Sequence, residues 1–278
     1  MALDLSAVGK ELPASTYEYN GRDVMLYALG VGATIDDLSF VYEKNLKVLP
    51  TFAVIPAFPA LTGIGRVLEG MNPAMLLHGE HGIQLRGPIA TSGKLTTRGK
   101  ITAIYDKGSG ALVVVEAETT GEDGQTLFSN TFGAFIRGEG GFGGERGPSA
   151  SSKNVPPERA PDHTVEYATS PNQAAIYRLS GDRNPLHIDP EFAKMGGFDR
   201  PILHGLCTFG YVGRAVLHAV CGGDPAKLKG FEVRFSGVVY PGETIVTDIW
   251  LESGKALIQA RTKERGEVVI SNAAATIG

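Results

Sequence analysis

The chain has 278 residues, 42% hydrophobic and 20% charged, with 26 Lys and Arg against 30 Asp and Glu. A net charge of −4 excludes a binder of nucleic acid driven by phosphate contacts, and the length supplies a core that needs no disulfide or metal staple. Two cysteines, Cys207 and Cys221, build no disulfide framework and fit a reducing compartment, while this length suits two domains of about 130 residues better than one.

In chain order, Met1 to Lys10 carries Asp4 and no basic segment ahead of an apolar run, so it does not read as a signal peptide. Alternation and β-branched content predict strands over 112–117 and 127–136, joined by a Gly-Glu-Asp-Gly turn at 121–124. Residues 138–162 are rich in Gly, Pro and Ser and read as a linker. Their Gly138-x-Gly140-x-x-Gly143 matches the dinucleotide pattern but lacks the helix that would receive a pyrophosphate. The apolar run from Ile202 to Val220 is interrupted by His204, Arg214 and His218, which predicts a buried helix and no membrane span. Strands follow over 244–250 and 268–273, with a turn at 252–255. The C-terminal Ala-Thr-Ile-Gly is no peroxisomal tripeptide, so the default is a soluble cytoplasmic protein.

The halves resemble each other. Tyr27-Ala-Leu-Gly aligns with Tyr177-Arg-Leu-Ser, and Ile83-Gln-Leu-Arg-Gly87 with Val233-Arg-Phe-Ser-Gly237, both at an offset of 150. Each half reads as a helix followed by antiparallel strands. The expectation is therefore a duplicated α+β fold, with repeats at 1–137 and 163–278 about the 138–162 linker.

Polar residues with chemical potential crowd between Tyr177 and Gly210. Asp182 and His187 are separated by the turn-forming Asn184-Pro185, so a loop can aim a carboxyl and an imidazole into one pocket. Such a pair suits acid–base work if the site separates their pKa values. A turn or helix-cap role for Asp182 and a packed, satisfied His187 are the plainer alternatives. What favours chemistry is His204-Gly205 at the head of the apolar helix. A helix start has unpaired N–H groups and a positive dipole end, and glycine lets a ligand oxygen approach closely. His78-x-x-His81 lacks the following Glu of zinc peptidases, and no Gly-x-Ser-x-Gly elbow occurs, so neither a metal site nor a serine hydrolase is expected.

Gly-Asp182-x-Asn-Pro-Leu-His187-Ile-Asp followed by Pro-Ile-Leu-His-Gly205-Leu resembles the signature of MaoC-like, or type 2, enoyl-CoA hydratases. The resemblance covers nearly the whole chain. It implies two tandem hotdog folds, each a long helix wrapped by a curved antiparallel sheet. It implies Asp182 and His187 as the catalytic pair, Asn184 as a holder of the water, and Gly205 N–H as the donor to the thioester oxygen. Substrate contacts are implied at Arg183, Pro185 and Leu186, at His78 and Gly79, at Lys107 and at Phe235. For His78, Gly79, Lys107 and Phe235, strand packing or solvated charge explains the residue equally well.

At the 150-residue offset Asp182 corresponds to Gly32 and His187 to Asp37, so the first half lacks the pair. The resemblance gives that half the task of accommodating long acyl chains, for which Phe52 to Leu61 would suit as a tunnel wall or simply as core. The expected reaction is metal-free, cofactor-free, reversible syn hydration of trans-2-enoyl-CoA to (3R)-3-hydroxyacyl-CoA, with CoA as part of the substrate. The alternatives are dehydration of (3R)-hydroxyacyl groups on an acyl carrier protein, and non-catalytic acyl-CoA binding. A homodimer is expected, and a peroxisomal setting if the chain is one module of a longer eukaryotic protein.

Overall fold

A computed structural model of the chain describes residues 3–68, 71–72, 75–149 and 152–278. Linker positions Ala150 and Ser151, and the first two residues of the N-terminal segment, lie outside the described residues. The first half runs β1 (Ser15–Tyr19), α1 (Gly21–Gly30), α2 (Leu38–Val41), α3 (Val54–Gly63), β2 (Leu76–Leu85), β3 (Gly93–Asp106), β4 (Gly110–Thr120) and β5 (Thr126–Arg137). The second runs β6 (His163–Ala168), α4 (Gln173–Tyr177), α5 (Pro190–Met195), α6 (Gly205–Ala219), β7 (Leu228–Phe235), β8 (Thr244–Glu252), β9 (Lys255–Thr262) and β10 (Val268–Ile277).

All these strands form one antiparallel sheet in the order β1-β3-β4-β5-β2-β7-β10-β9-β8-β6. Exchanging the halves and reading from the other end reproduces that order. The halves meet where β2 pairs with β7, in a register centred on Gly82 opposite Glu232. Those positions are 150 apart, so the sequence offset is an approximate two-fold axis through this seam. The α+β expectation holds, and each half packs its helix, α3 or α6, on its own strands. Leu206 to Leu217 are all buried, as a centrally placed helix requires.

Several elements differ from the expectation. In each half a strand precedes the first α-helix. β1 and β6 lie at the two edges of the sheet, and β6 alternates half-buried with exposed positions. An edge strand facing water on one side carries too few apolar residues to stand out. β2, β3, β7 and β9 also lie outside the strands the pattern predicts; the glycines and charges in β3 dilute its alternation. Phe52 to Leu61 is α3 with its lead-in turn, and Phe52, Ala53, Val54 and Ala57 have no solvent exposure. That stretch is core. The two repeats also share their interior, since Tyr27 and Phe52 join Phe209 and Phe231 in one cluster.

The linker is irregular yet tied down. Asp106 at the end of β3 accepts hydrogen bonds from the N–H groups of Gly108, Gly141 and Gly143, each at 2.8 Å. These amides, Gly141's foremost, hold its carboxyl below the usual range. The glycine-rich stretch thus helps cradle a carboxylate of the chain itself, with positive φ at Gly141 and Gly143. Among the described residues, no helix is long and apolar enough to cross a membrane.

Candidate active site

After α4 the chain reverses at Gly181, whose φ of 137° only glycine adopts comfortably. Two nested turns follow. Asp182 Oδ1 accepts from Asn184 N–H at 3.1 Å, and Asn184 Oδ1 accepts from Leu186 N–H at 3.0 Å. Pro185 then opens a 3-10 turn, Pro185–His187, that swings His187 inward. The turn role of Asp182 is therefore real, but it uses one carboxylate oxygen. The same geometry spends Asn184 Oδ1 on the backbone, so its Nδ2 is the group it can offer a water. Arg183 and Pro185 are exposed beside this loop.

His187 is buried, and its Nδ1 lies 2.9 Å from the carbonyl oxygen of Ile202. A carbonyl only accepts, so Nδ1 carries the proton and Nε2 keeps a lone pair. One ligand atom from each of Asp182, His187 and His204 lies within 4.8 Å of the others. Three such side chains could also meet a divalent cation. His204 precedes α6 as its N-cap, and Gly205 is the first helical residue. Gly205 N–H is thus one of the amides that no turn of the helix satisfies. A Cβ on Gly205 would come within 3.4 Å of the Phe235 ring, which marks Phe235 as the wall of this space.

Burial raises the Asp182 carboxyl above its ordinary value and lowers the His187 imidazole, each shift opposed by the partner's charge. Contrary to the expectation from sequence, the site draws the two values together, because burial penalises both charged forms. His78 crosses the seam to lie 5.1 Å from Phe235, ring to ring, so the first half supplies part of the wall. Burial lowers His78 to about 4. Gly79 is the bulge residue where β2 shifts register against β5 between His78 and Glu80. Leu186 packs toward Gly196. Lys107 is not gathered here: its ammonium donates to the carbonyls of Arg146 at 2.5 Å and Pro148 at 3.1 Å.

Sequence reasoning missed three contributors. The Ile202 carbonyl sets the His187 tautomer. Arg178 braces the loop by donating to the Arg183 carbonyl at 3.0 Å. The sequence marks His204 only as a helix start, yet its ring lies over His187 with centroids 3.8 Å apart. The Pro-Ile-Leu-His run could have drawn attention to all but Arg178, since it joins the helix to the loop.

The corresponding place in the first half is filled. Gly32, at the position of Asp182, has φ of 78°, and a Cβ there would overlap the Tyr211 ring. Asp37, at the position of His187, accepts from Arg214 Nη1 at 2.8 Å and Thr34 N–H at 3.0 Å. It also lies 3.1 Å from His218 Nε2. Tyr211, Arg214 and His218 all belong to α6, so one helix opens the second site and closes the first.

Buried histidines give a pH signature. His81 and His204 are 2% and 0% exposed, and burial holds both well below the ordinary 6.5. Below pH 6.5 the unfolded chain takes up protons that the native chain refuses, so stability falls as pH falls. Each such histidine contributes on the order of 1 kcal/mol between pH 7.5 and 5.5. Denaturant melts between pH 7.5 and 5.5 should show this decline; a flat profile would contradict the burial.

Two family models match the chain: the MFE-2 hydratase 2 N-terminal domain over residues 17–138 and the MaoC like domain over 152–273. The chain is 44% identical to a probable enoyl-CoA hydratase 2 of Dictyostelium discoideum, covering 100% of this chain and 97% of that protein. It is 46% identical to a peroxisomal hydratase-dehydrogenase-epimerase of Neurospora crassa over 97% of its own length, but spans 31% of that longer protein. A crystal structure of a MaoC-like dehydratase from Phytophthora capsici matches with a TM-score of 0.88 and 38% identity, covering 99% and 98% of the two chains.

Proposed function

Because the chain belongs to the MaoC-like, hydratase 2 family, we propose that it catalyses reversible hydration of trans-2-enoyl-CoA to (3R)-3-hydroxyacyl-CoA. The observation that carries this reading is the meeting of Asp182, the free lone pair of His187 and the head of α6 in one place. A water gripped by the Asp182 carboxylate and His187 Nε2 gives its hydroxyl to C3, and a proton of the same water reaches C2 on the same face. Negative charge gathers on the thioester oxygen and is met by Gly205 N–H, with Asn184 Nδ2 steadying the water. A preorganised oxyanion donor is worth roughly 3–4 kcal/mol, and an acid or base group about 10²–10⁴ in rate.

His78, Gly79 and Phe235 form the wall facing the thioester in this reading, with Arg183, Pro185 and Leu186 at the rim. Lys107, held by linker carbonyls, is the least supported of the proposed CoA contacts. The first half serves the acyl chain and carries no chemistry. A surface groove of about 470 Å³ is lined by Arg22, Asp23, Met25, Leu26, Leu29, Val41 and Leu179; its apolar side chains, all but Leu179 from the first half, support this reading. We assign the protein to the cytoplasm, or to the peroxisome where a longer parent carries it; buried, unpaired Cys207 and Cys221 agree with a reducing setting. Pairing of two chains into a homodimer completes the proposal.

The test is turnover of crotonyl-CoA and trans-2-decenoyl-CoA, followed by loss of enoyl absorbance with chiral analysis of the product. The (3R) alcohol is expected. The (3S) alcohol would overturn the stereochemical reading, and no turnover of either thioester would favour a binding protein. The likeness to a protein named a dehydratase supports a second reading, the reverse reaction on a carrier-protein thioester, which a faster rate on the matched carrier-protein substrate would establish.

A further inference from the structure

The described side chains leave one buried imidazole at the site without a task in the reaction. His204 has no solvent exposure. Its Nε2 lies 3.1 Å from the backbone carbonyl of Asp182, and its ring lies face to face with His187, centroids 3.8 Å apart and planes 32° apart. Tyr177 backs it from the other side at 4.9 Å. The Asp182 carbonyl accepts only, so His204 Nε2 carries the proton and donates. The main chain of the same residue is the N-cap of α6: its carbonyl accepts from Cys207 and Thr208 at 3.0 and 3.1 Å. His204 therefore touches both members of the acid–base pair and is covalently joined to the proposed oxyanion donor.

We propose that His204 is a positioning residue that fixes the distance between the Asp182–His187 pair and Gly205 N–H. The hydrogen bond pins the loop at its first functional residue, and the ring face blocks rotation of His187 about its side chain. Water and thioester oxygen are then held at one spacing throughout the reaction. The inference rests on the hydratase reading. It adds a residue whose contribution lies in orientation, where a misplacement near 1 Å costs on the order of a hundredfold in rate.

The test compares the full-length protein with His204→Phe, which keeps a flat ring and loses the donor, and His204→Gln, whose amide can still reach the Asp182 carbonyl. Steady-state kinetics on crotonyl-CoA, with circular dichroism and thermal melts as controls, give the readout. For folded His204→Phe, kcat should drop about 10- to 100-fold with KM within about threefold, because orientation acts on the transition state and not on ground-state binding. His204→Gln should recover part of that loss. If His204→Phe does not fold, His204→Met, of similar bulk and without a donor, stands in for it under the same criteria. Wild-type kcat in the donorless variant, a change confined to KM, or a Gln variant no better than the donorless one would each overturn the inference. Failure of the wild-type protein itself on enoyl-CoA substrates would overturn the hydratase reading first and this inference with it.

Discussion

Asp182→Asn and His187→Asn are each expected to lower kcat on enoyl-CoA by about 10²–10⁴ while the fold survives. The substitutions are chosen from the geometry. Asn at 182 keeps an oxygen for the N–H of Asn184, a contact of 3.1 Å, so the turn stays closed and only the charge is lost. Asn at 187 keeps an N–H where Nδ1 now donates to Ile202 at 2.9 Å, and removes the Nε2 lone pair. On the proposal that both groups grip one water, the double variant should lose little more than either single one; effects within such a unit are far from additive. Activity above about a tenth of wild type in either single variant would remove that residue from the chemistry. Equal melting temperatures across the set would separate lost catalysis from lost structure.

The second large effect lies on the opposite side of α6. Asp37→Ala should destabilise the protein by about 3–5 kcal/mol, because it strands the buried Arg214 guanidinium without its carboxylate. Asp37 and Arg214 have side chains only 8% and 4% exposed, so water cannot take the place of the lost partner. Arg214 keeps its stacking on Tyr167, at 3.9 Å from the ring centroid, which does not neutralise it. A fall in melting temperature on the order of 10 °C follows. Asp37→Ala/Arg214→Met should recover a large part, since replacing a whole buried pair by apolar groups is often neutral. Turnover at temperatures where the single variant is folded should stay near wild type. A melting temperature unchanged by Asp37→Ala would show that the pair contributes nothing net.

The two effects differ because the repeats have diverged at equivalent places. Asp182 corresponds to Gly32 and His187 to Asp37. In the first half, Tyr211 stands where a side chain on Gly32 would be, and Arg214 consumes Asp37. α6 makes both possible: its first residue offers N–H groups to one site, and its later turns plug the other.

By itself the sequence determined the duplication, the α+β class, the buried apolar helix and the candidate pair with its turn. These are local or periodic signals: an offset of 150, alternating strands, an Asn-Pro turn with an acid on one side and an imidazole on the other. Composition marked 138–162 as rich in Gly, Pro and Ser but not how that stretch is held, because Asp106 meets the Gly141 and Gly143 amides only after β3 has folded. Edge strands β1 and β6 escaped notice because half their faces look to water. Only the tertiary structure decided the tautomer of His187, through a carbonyl fifteen residues away. It alone stacked His204 on His187, joined the two repeats across Gly82 and Glu232, and brought His78 to Phe235. It also reversed one expectation. Burial draws the pKa values of Asp182 and His187 together, since desolvation depends on what surrounds a group in space, and chain order carries no record of that.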